Sequence, residues 1–160
     1  MQKLIIALMY SNREILRESL SELIKIFGEI EELNAEYDFD FTKYYQEEFG
    51  DKLLKRFVCF KEPIKKEDLV DIKMQTNIIE NRFRVNGDRQ INIDPGYLDN
   101  DCLVMASNKK MSFKSQLSDG IYAHKLLEFK QGKVITFFHT FQDYTLEENK
   151  RFFKIILAKR

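Results

Sequence analysis

Arg89-Gln90-Ile91-Asn92-Ile93-Asp94-Pro95-Gly96-Tyr97-Leu98 is the stretch on which the fold of this chain turns. Side chains alternate along a strand, so Ile91 and Ile93 fall on one face and Gln90, Asn92 and Asp94 on the other. Pro95 has no backbone donor and Gly96 can take positive φ, so the pattern predicts that the strand stops at Asp94 in a tight turn. A carboxylate held at a rigid strand end is a place to build a site; it is also what an ordinary strand exit looks like.

Upstream, Lys3 to Met9 is an apolar run of strand length that fits a central strand buried on both faces. Ser11-Asn12-Arg13-Glu14 has the form of a capping box, with the Ser11 hydroxyl taking a first-turn donor while Glu14 reaches back. The helix that follows buries Ile15, Leu16, Leu20, Leu23, Ile24 and Phe27, and Gly28 stops it. Glu29 to Phe41 reads as a second strand, with Tyr37, Phe39 and Phe41 on one side and Glu36, Asp38, Asp40 and Thr42 on the other. Two aspartates on one face could ligate a hard cation such as magnesium, or could line a solvated edge. Residues 42–50 form a loop with one helical turn, ended by Gly50. Leu53 to Phe60 is a third strand closed by Pro63. Lys66 to Arg84 is a second helix whose buried stripe runs through Leu69, Ile72, Thr76, Ile79 and Phe83. Asn86-Gly87-Asp88 turns the chain into the strand quoted above.

The order strand, helix, strand, strand, helix, strand predicts an α+β fold with a ferredoxin-like βαββαβ core over residues 1–95. In that arrangement the second and fourth strands are expected to be the outer pair and to run the same way. Asp40 and Asp94 would then finish at one end of the sheet, roughly 14 Å apart across three strand spacings. That is too wide to share an ion directly but suits a ligand of nucleotide size. Residues 96–160 add a C-terminal antiparallel β extension and a final helix. Asp101 to Ala106 is a strand, and Ile121 to Phe129 and Lys133 to Phe138 form a hairpin around Gln131-Gly132. Thr145-Leu146-Glu147-Glu148 is a second capping box, opening a helix with Phe152, Phe153, Ile156 and Leu157 inward. No repeat, low-complexity tract or linker divides the 160 residues, which are read as one domain.

Formal net charge is zero, from 26 basic and 26 acidic residues, which argues against a strongly basic nucleic-acid footprint. The distribution is uneven: residues 1–50 hold 5 basic and 11 acidic side chains, 51–110 hold 12 and 10, and 111–160 hold 9 and 5. The C-terminal third can therefore meet a phosphate or an acidic partner, or simply face water. With 14 Phe, 7 Tyr and no Trp, the aromatics are read as core packing. Cys59 and Cys102 show no Cys-x-x-Cys pattern, so neither a disulfide framework nor a zinc site is indicated. Leu4 to Met9 is too short for a signal-peptide core, and no stretch approaches the roughly 20 apolar residues of a membrane helix. A cytoplasmic protein without a membrane partner is expected.

No P-loop, dinucleotide fingerprint or nucleophile elbow occurs. His124 could serve as a base beside Asp119 or Asp94, although a lone strand histidine is more often structural; His139 sits among aromatics. Ser118-Asp119-Gly120-Ile121-Tyr122 presents a carboxylate and a phenol at a strand entrance, or is merely a turn. Arg56, Arg89, Lys109 and Lys114 can bind an anion if the fold brings them together.

Asp40-Phe41-Thr42-Lys43-Tyr44-Tyr45, Asn92-Ile93-Asp94-Pro95-Gly96-Tyr97-Leu98 and Asp119-Gly120-Ile121-Tyr122-Ala123, in this order and spacing, resemble a family of small prokaryotic proteins numbered forty-four sixteen among the domains of unknown function. The resemblance covers nearly the whole chain, and the Asn-x-Asp-Pro-Gly-Tyr-Leu element is its most specific part. Some members carry an automatic label of GTP-binding protein. A Ras-like GTPase needs a P-loop, which this chain lacks, and Asn108-Lys109-Lys110-Met111 lacks the aspartate of a guanine-reading Asn-Lys-x-Asp. Where this chain has Phe113-Lys114, a His-Arg pair is usual in the family.

The leading expectation is a binding protein or enzyme for a small anionic, nucleotide-like ligand at the sheet end carrying Asp40, Tyr44, Tyr45, Asp94 and Tyr97. Asp40 and Asp94 would hold sugar hydroxyls or a divalent cation, the tyrosines would stack or donate, and Arg89 or Lys109 would meet phosphate. Asn92, Asp119 and Tyr122 complete the candidate set; no residue is assigned as catalytic or as a metal ligand. The alternative is a protein-interaction module without a small ligand, docking through the aromatic loop 42–50 and forming a homodimer. An RNA-binding module comes third, since no RNP-type motif is present.

Overall fold

Every residue from Leu4 to Tyr10 is buried, because the strand they form, β1 (Gln2–Tyr10), lies at the centre of a sheet with helices on both faces. The computed structural model describes residues 1–159. In chain order it contains β1, α1 (Arg13–Phe27), β2 (Ile30–Leu33), β3 (Tyr37–Asp38), α2 (Gln46–Phe49), β4 (Leu54–Ile64), α3 (Leu69–Arg82), β5 (Ile91–Leu98), β6 (Cys102–Ser107), β7 (Ser115–Gln116), β8 (Tyr122–Lys130), β9 (Lys133–Thr136) and α4 (Glu147–Ala158). The nine strands form one antiparallel sheet in the order β2-β4-β1-β5-β6-β8-β7, with β3 also on β4 and β9 also on β8. The fold is α+β.

Alternation along β1 divides the core. Leu4, Ile6, Leu8 and Tyr10 face α1 and α3, where they meet Leu16, Leu23, Ile72 and Ile79. Ile5 and Ala7 face the opposite layer, built from Phe57, Tyr144 and the α4 residues Phe152, Phe153 and Ile156. The segment leading into α4 is locked by a buried ion pair, Lys55 Nζ to Asp143 Oδ2 at 2.7 Å. Tyr37 donates to the same oxygen at 2.8 Å, and the Lys55 ammonium lies against the rings of Phe39, Phe57 and Tyr144.

Several local expectations change. The strand quoted at the outset does not end at Asp94: β5 runs through Pro95 and Gly96 to Leu98. Pro95 is tolerated because the ladder to β6 begins only at Gly96, leaving β5 single-sided where the donor is missing. Gly96 has no positive φ; a Cβ there would stand 2.3 Å from both the Val104 carbonyl oxygen and the Met105 Sδ. It is a close-approach glycine and not a turn glycine.

Neither capping box forms. Asn12, not Ser11, caps α1 by accepting from the Glu14 N–H at 2.8 Å, and Glu14 pairs with Arg17. Leu146 precedes α4 without a side-chain cap, while Thr145 donates backward to the Gln142 carbonyl. Ile24 is 43% exposed; Ser19 and Leu23 carry the buried side of α1 instead. The strand expected over 29–41 is split into β2 and β3; at Asn34 the side-chain oxygen, in place of the backbone carbonyl, accepts the Phe57 N–H, while the Asn34 N–H donates to the Phe57 carbonyl at 3.2 Å. Gly28, the Asn86-Gly87 turn and the Gln131-Gly132 hairpin stand where the sequence puts them, Asn86 and Gln131 having φ of 51° and 52°.

Candidate functional site

The site is organised by the place where β5 and β6 part. Their ladder covers only Gly96–Met105, Tyr97–Val104 and Leu98–Leu103, while Ala106 and Ser107 of β6 pair with β8 alone. Residues 91–95 thus have β1 on one side and no strand on the other. Backbone groups left unpaired in a buried strand need partners, and α3 supplies them. The Glu80 carboxylate accepts the Ile93 N–H at 2.6 Å, and the Lys73 ammonium donates to the Ile93 carbonyl at 3.4 Å.

Lys73 also donates to Asp94 Oδ1 at 3.0 Å; its side chain is 4% exposed, that of Asp94 34%. The Asn92 amide donates to the other Asp94 oxygen at 2.9 Å, and Arg89 donates to the Asn92 carbonyl oxygen at 2.7 Å. Arg89 also holds both oxygens of Glu48 at 2.9 Å, which ties the α2 turn to the start of β5. The result is a chain of polar contacts through Lys73, Asp94, Asn92, Arg89 and Glu48, with Glu80 3.7 Å from Arg89 behind it.

Burial acts to raise the Asp94 carboxyl, but the Lys73 ammonium and the Asn92 amide outweigh it and hold the group below its ordinary range. Glu80 goes the other way: burial, reinforced by Asp94, pushes it up to about 7 against the pull of Lys73 and Arg89. Tyr45 is raised by burial and by the Asp94 charge.

Across the parting of the strands stand two further cations. Lys109 Nζ donates to the Tyr44 hydroxyl at 2.6 Å and lies 3.8 Å from the centre of that ring. Lys114 Nζ donates to Ser107 Oγ at 2.9 Å and to the Lys109 carbonyl at 3.2 Å. Burial, then the neighbouring Lys109 charge, push the Lys114 ammonium below its ordinary range, with Asp94 opposing. Among the described residues neither lysine is ion-paired with a carboxylate.

Of the residues expected to form a site, Arg89, Asn92 and Asp94 therefore form one contact group and Tyr44, Tyr45 and Lys109 another, the Tyr44 and Tyr45 rings being 4.9 Å apart. The others lie apart from them. Asp40 is exposed after β3 in a depression of about 440 Å³ with Ser11, Arg13, Asp38 and Lys52. β3 and β1 are both antiparallel to β4, and β5 is antiparallel to β1, so β3 and β5 run in opposite directions. Asp94 pairs with Ala7 within the sheet, so the two aspartates do not finish at one end of it. Tyr97 packs beside Leu69 and Val104 under the Lys66 ammonium, its hydroxyl pushed up to about 12 by burial. Asp119 is an exposed turn residue with φ 54°, and Tyr122 opens β8 opposite Ser107. His124 is 1% exposed and donates to the His139 carbonyl at 3.2 Å, a buried structural histidine held down to about 4 by burial and by Lys114. Arg56 donates to the Asn34 carbonyl, away from the site. Among the described residues no group of three or more His, Cys, Asp or Glu side chains is placed to hold a metal ion, and no helix is long and apolar enough to cross a membrane.

A family model described as Domain of unknown function (DUF4416) matches residues 1–159. The chain belongs to that family. No curated protein and no solved structure matched it. The Asn-x-Asp-Pro-Gly-Tyr-Leu element of this DUF4416 chain thus has a structural account. Asn92 and Asp94 order the open edge of β5, Pro95 sits where no donor is needed, and Gly96 admits β6.

Glu48, Lys73 and Glu80 are contacts of the site residues that the sequence did not single out. For the two on α3 a signal existed: with Thr76 they fall at i, i+3 and i+7, on the flank of the stripe formed by Ile72 and Ile79. Charged residues so placed on a buried helix face call for partners.

Proposed function

We propose that this protein binds a small phosphate-bearing ligand, nucleotide-like in size and charge, where β5 and β6 part. The observation that carries the reading is the pair Lys109 and Lys114. The two stand together, Lys114 donating to the Lys109 carbonyl at 3.2 Å, and among the described residues no carboxylate is ion-paired with either; a phosphate is the natural counter-charge. Asp94 and Asn92 then face hydroxyl groups of the ligand, and Tyr44 lies over it. Asp40, Tyr97, Asp119 and Tyr122 have no part in this version of the site.

We also read the four strands β2-β4-β1-β5 as a ferredoxin-like core. That order, with α1 leading from β1 to β2 and α3 from β4 to β5, supports it. A cytoplasmic setting is consistent with two buried free cysteines.

The test is thermal unfolding against nucleotides, sugar phosphates and inorganic pyrophosphate, for the native chain and for Lys114→Met. A ligand at about 100 times its dissociation constant adds about 2.7 kcal/mol to the native state. Stabilisation of the native chain that Lys114→Met loses supports the reading; no stabilisation across the panel removes it. The competing reading, a protein-interaction module, draws on Phe138 and Phe141, 91% and 50% exposed; self-association in sedimentation, without ligand stabilisation, would favour it.

A further inference from the structure

Linked to Lys114 through the Phe113 ring is an aromatic residue whose placement burial does not explain. Phe138 occupies a corner of the turn 137–140, which is pinned three times: Thr140 N–H to the Phe137 carbonyl at 3.1 Å, Phe137 N–H to Thr140 Oγ1 at 2.8 Å, and that hydroxyl to the Leu126 carbonyl at 2.6 Å. Such corners usually carry Gly, Asn, Asp or Ser, yet this one holds a phenylalanine that is 91% exposed.

The ring is exposed and meets two others at right angles. It stands nearly perpendicular to Phe113, centroids 5.9 Å apart, and to His139 at 5.0 Å. His139 is itself sandwiched between Phe113 at 4.6 Å and Phe137 at 5.0 Å, with planes within 8° and 3°. Its Nε2 donates to the Lys125 carbonyl at 3.0 Å, which fixes the stack. Phe113 then leads back to the cations, since the Lys114 ammonium lies 6.0 Å from its ring.

We infer that Phe138 is the stacking surface for a heterocyclic base, so that the ligand is a nucleotide whose phosphates reach Lys114 and Lys109. This rests on the phosphate site proposed above. A base has a flat π face to lay on an open ring and tolerates any sequence identity.

The test is calorimetric titration of the native chain, Phe138→Ala and Lys114→Met with inorganic pyrophosphate and with ADP, GDP and UDP. At least one nucleoside diphosphate should bind the native chain about ten-fold or more tightly than pyrophosphate. Phe138→Ala should erase that advantage and leave pyrophosphate binding unchanged, whereas Lys114→Met should weaken both. Equal binding of pyrophosphate and nucleotides by the native chain, or nucleotide binding untouched by Phe138→Ala, overturns base stacking and leaves the phosphate site standing. Binding of none of the four probes overturns the phosphate site and this inference with it. A Phe138→Ala variant that keeps its nucleotide affinity but loses self-association assigns the ring to a protein interface instead.

Discussion

The Glu80 carboxylate accepts the backbone N–H of Ile93 at 2.6 Å, so a helix side chain stands where a neighbouring strand would otherwise pair. With Lys73 on the Ile93 carbonyl, α3 satisfies both backbone groups of one residue. This satisfies Ile93 where β5 and β6 part, and the parting leaves the Asp94 side chain 34% exposed. Site and fold share the same residues here, so substitutions must be chosen with both in view.

Glu80 makes stability depend on pH. Its folded pKa of about 7 lies above the unfolded value near 4.3, so the folded state binds more protons between the two and loses stability as pH rises through that window. Glu80→Gln keeps an acceptor for Ile93 and removes the charge. Urea unfolding at pH 8 should show it more stable than the native chain, by up to about 4 kcal/mol, with the difference vanishing near pH 4.5. Equal stability at pH 8 would mean that Glu80 titrates normally.

His124 has the opposite slope. Held down to about 4 against about 6.5 unfolded, it contributes stability that is present above pH 6.5 and lost as pH falls toward 4. The two groups oppose each other in the native chain, so Glu80→Gln should expose a steep acid loss between pH 6.5 and 4.5. Adding His124→Gln, whose amide can still donate to the His139 carbonyl, should flatten it. The depressed carboxyls Asp94, Glu48 and Asp99 give up their stability only at lower pH.

Lys73 and Asp94 call for a double-mutant cycle. Asp94→Asn leaves a lysine with a 4% exposed side chain without its ion-pair partner, and Lys73→Met leaves Asp94 without its own. Each single change should cost about 3–5 kcal/mol, while the pair Lys73→Met with Asp94→Asn should recover much of the loss. Additive costs in chemical denaturation would show that the two do not act as a unit. For the same reason Lys114→Met, not Asp94→Ala, is the variant that tests ligand binding.

How far the sequence could be read follows from which signals are local. Period-2 and period-3.6 patterns place β1, α1, α3 and α4, and Asn86-Gly87 and Gln131-Gly132 mark their turns, because these depend on neighbours in the chain. Polar contacts across the fold are not written locally: Glu80 to Ile93 spans 13 positions and Arg89 to Glu48 spans 41. Tyr44, Arg89, Asn92, Asp94 and Lys109 stand out in the sequence because each is polar in an ordered context, and the fold puts Arg89, Asn92 and Asp94 in one contact group and Tyr44 with Lys109 in another. Tyr97 and Asp119 looked the same and fell elsewhere, since a motif does not say which way its strand is flanked.

Pro95-Gly96 was the most misleading element, and Gly96 gives a sharp test. The dipeptide reads as a turn, yet both residues lie in the middle of β5, and the glycine is needed because β6 crosses too close for a side chain. An alanine Cβ would meet the Val104 carbonyl at 2.3 Å, a backbone atom that cannot swing away, as well as Met105 Sδ. Overpacking of this kind costs about 1–3 kcal/mol or more. The strain falls on the Gly96–Met105 rung, the first of only three that join β5 to β6. Gly96→Ala should therefore lower the unfolding midpoint and also raise amide exchange in β6 more than in β1, which is held on both sides by β4 and β5. Met105→Ala beside it removes the flexible half of the clash but not the backbone half, so it should rescue Gly96→Ala only in part. Full rescue would place the clash on the methionine alone, and an unchanged midpoint for Gly96→Ala would mean that β5 and β6 stand further apart than this register requires.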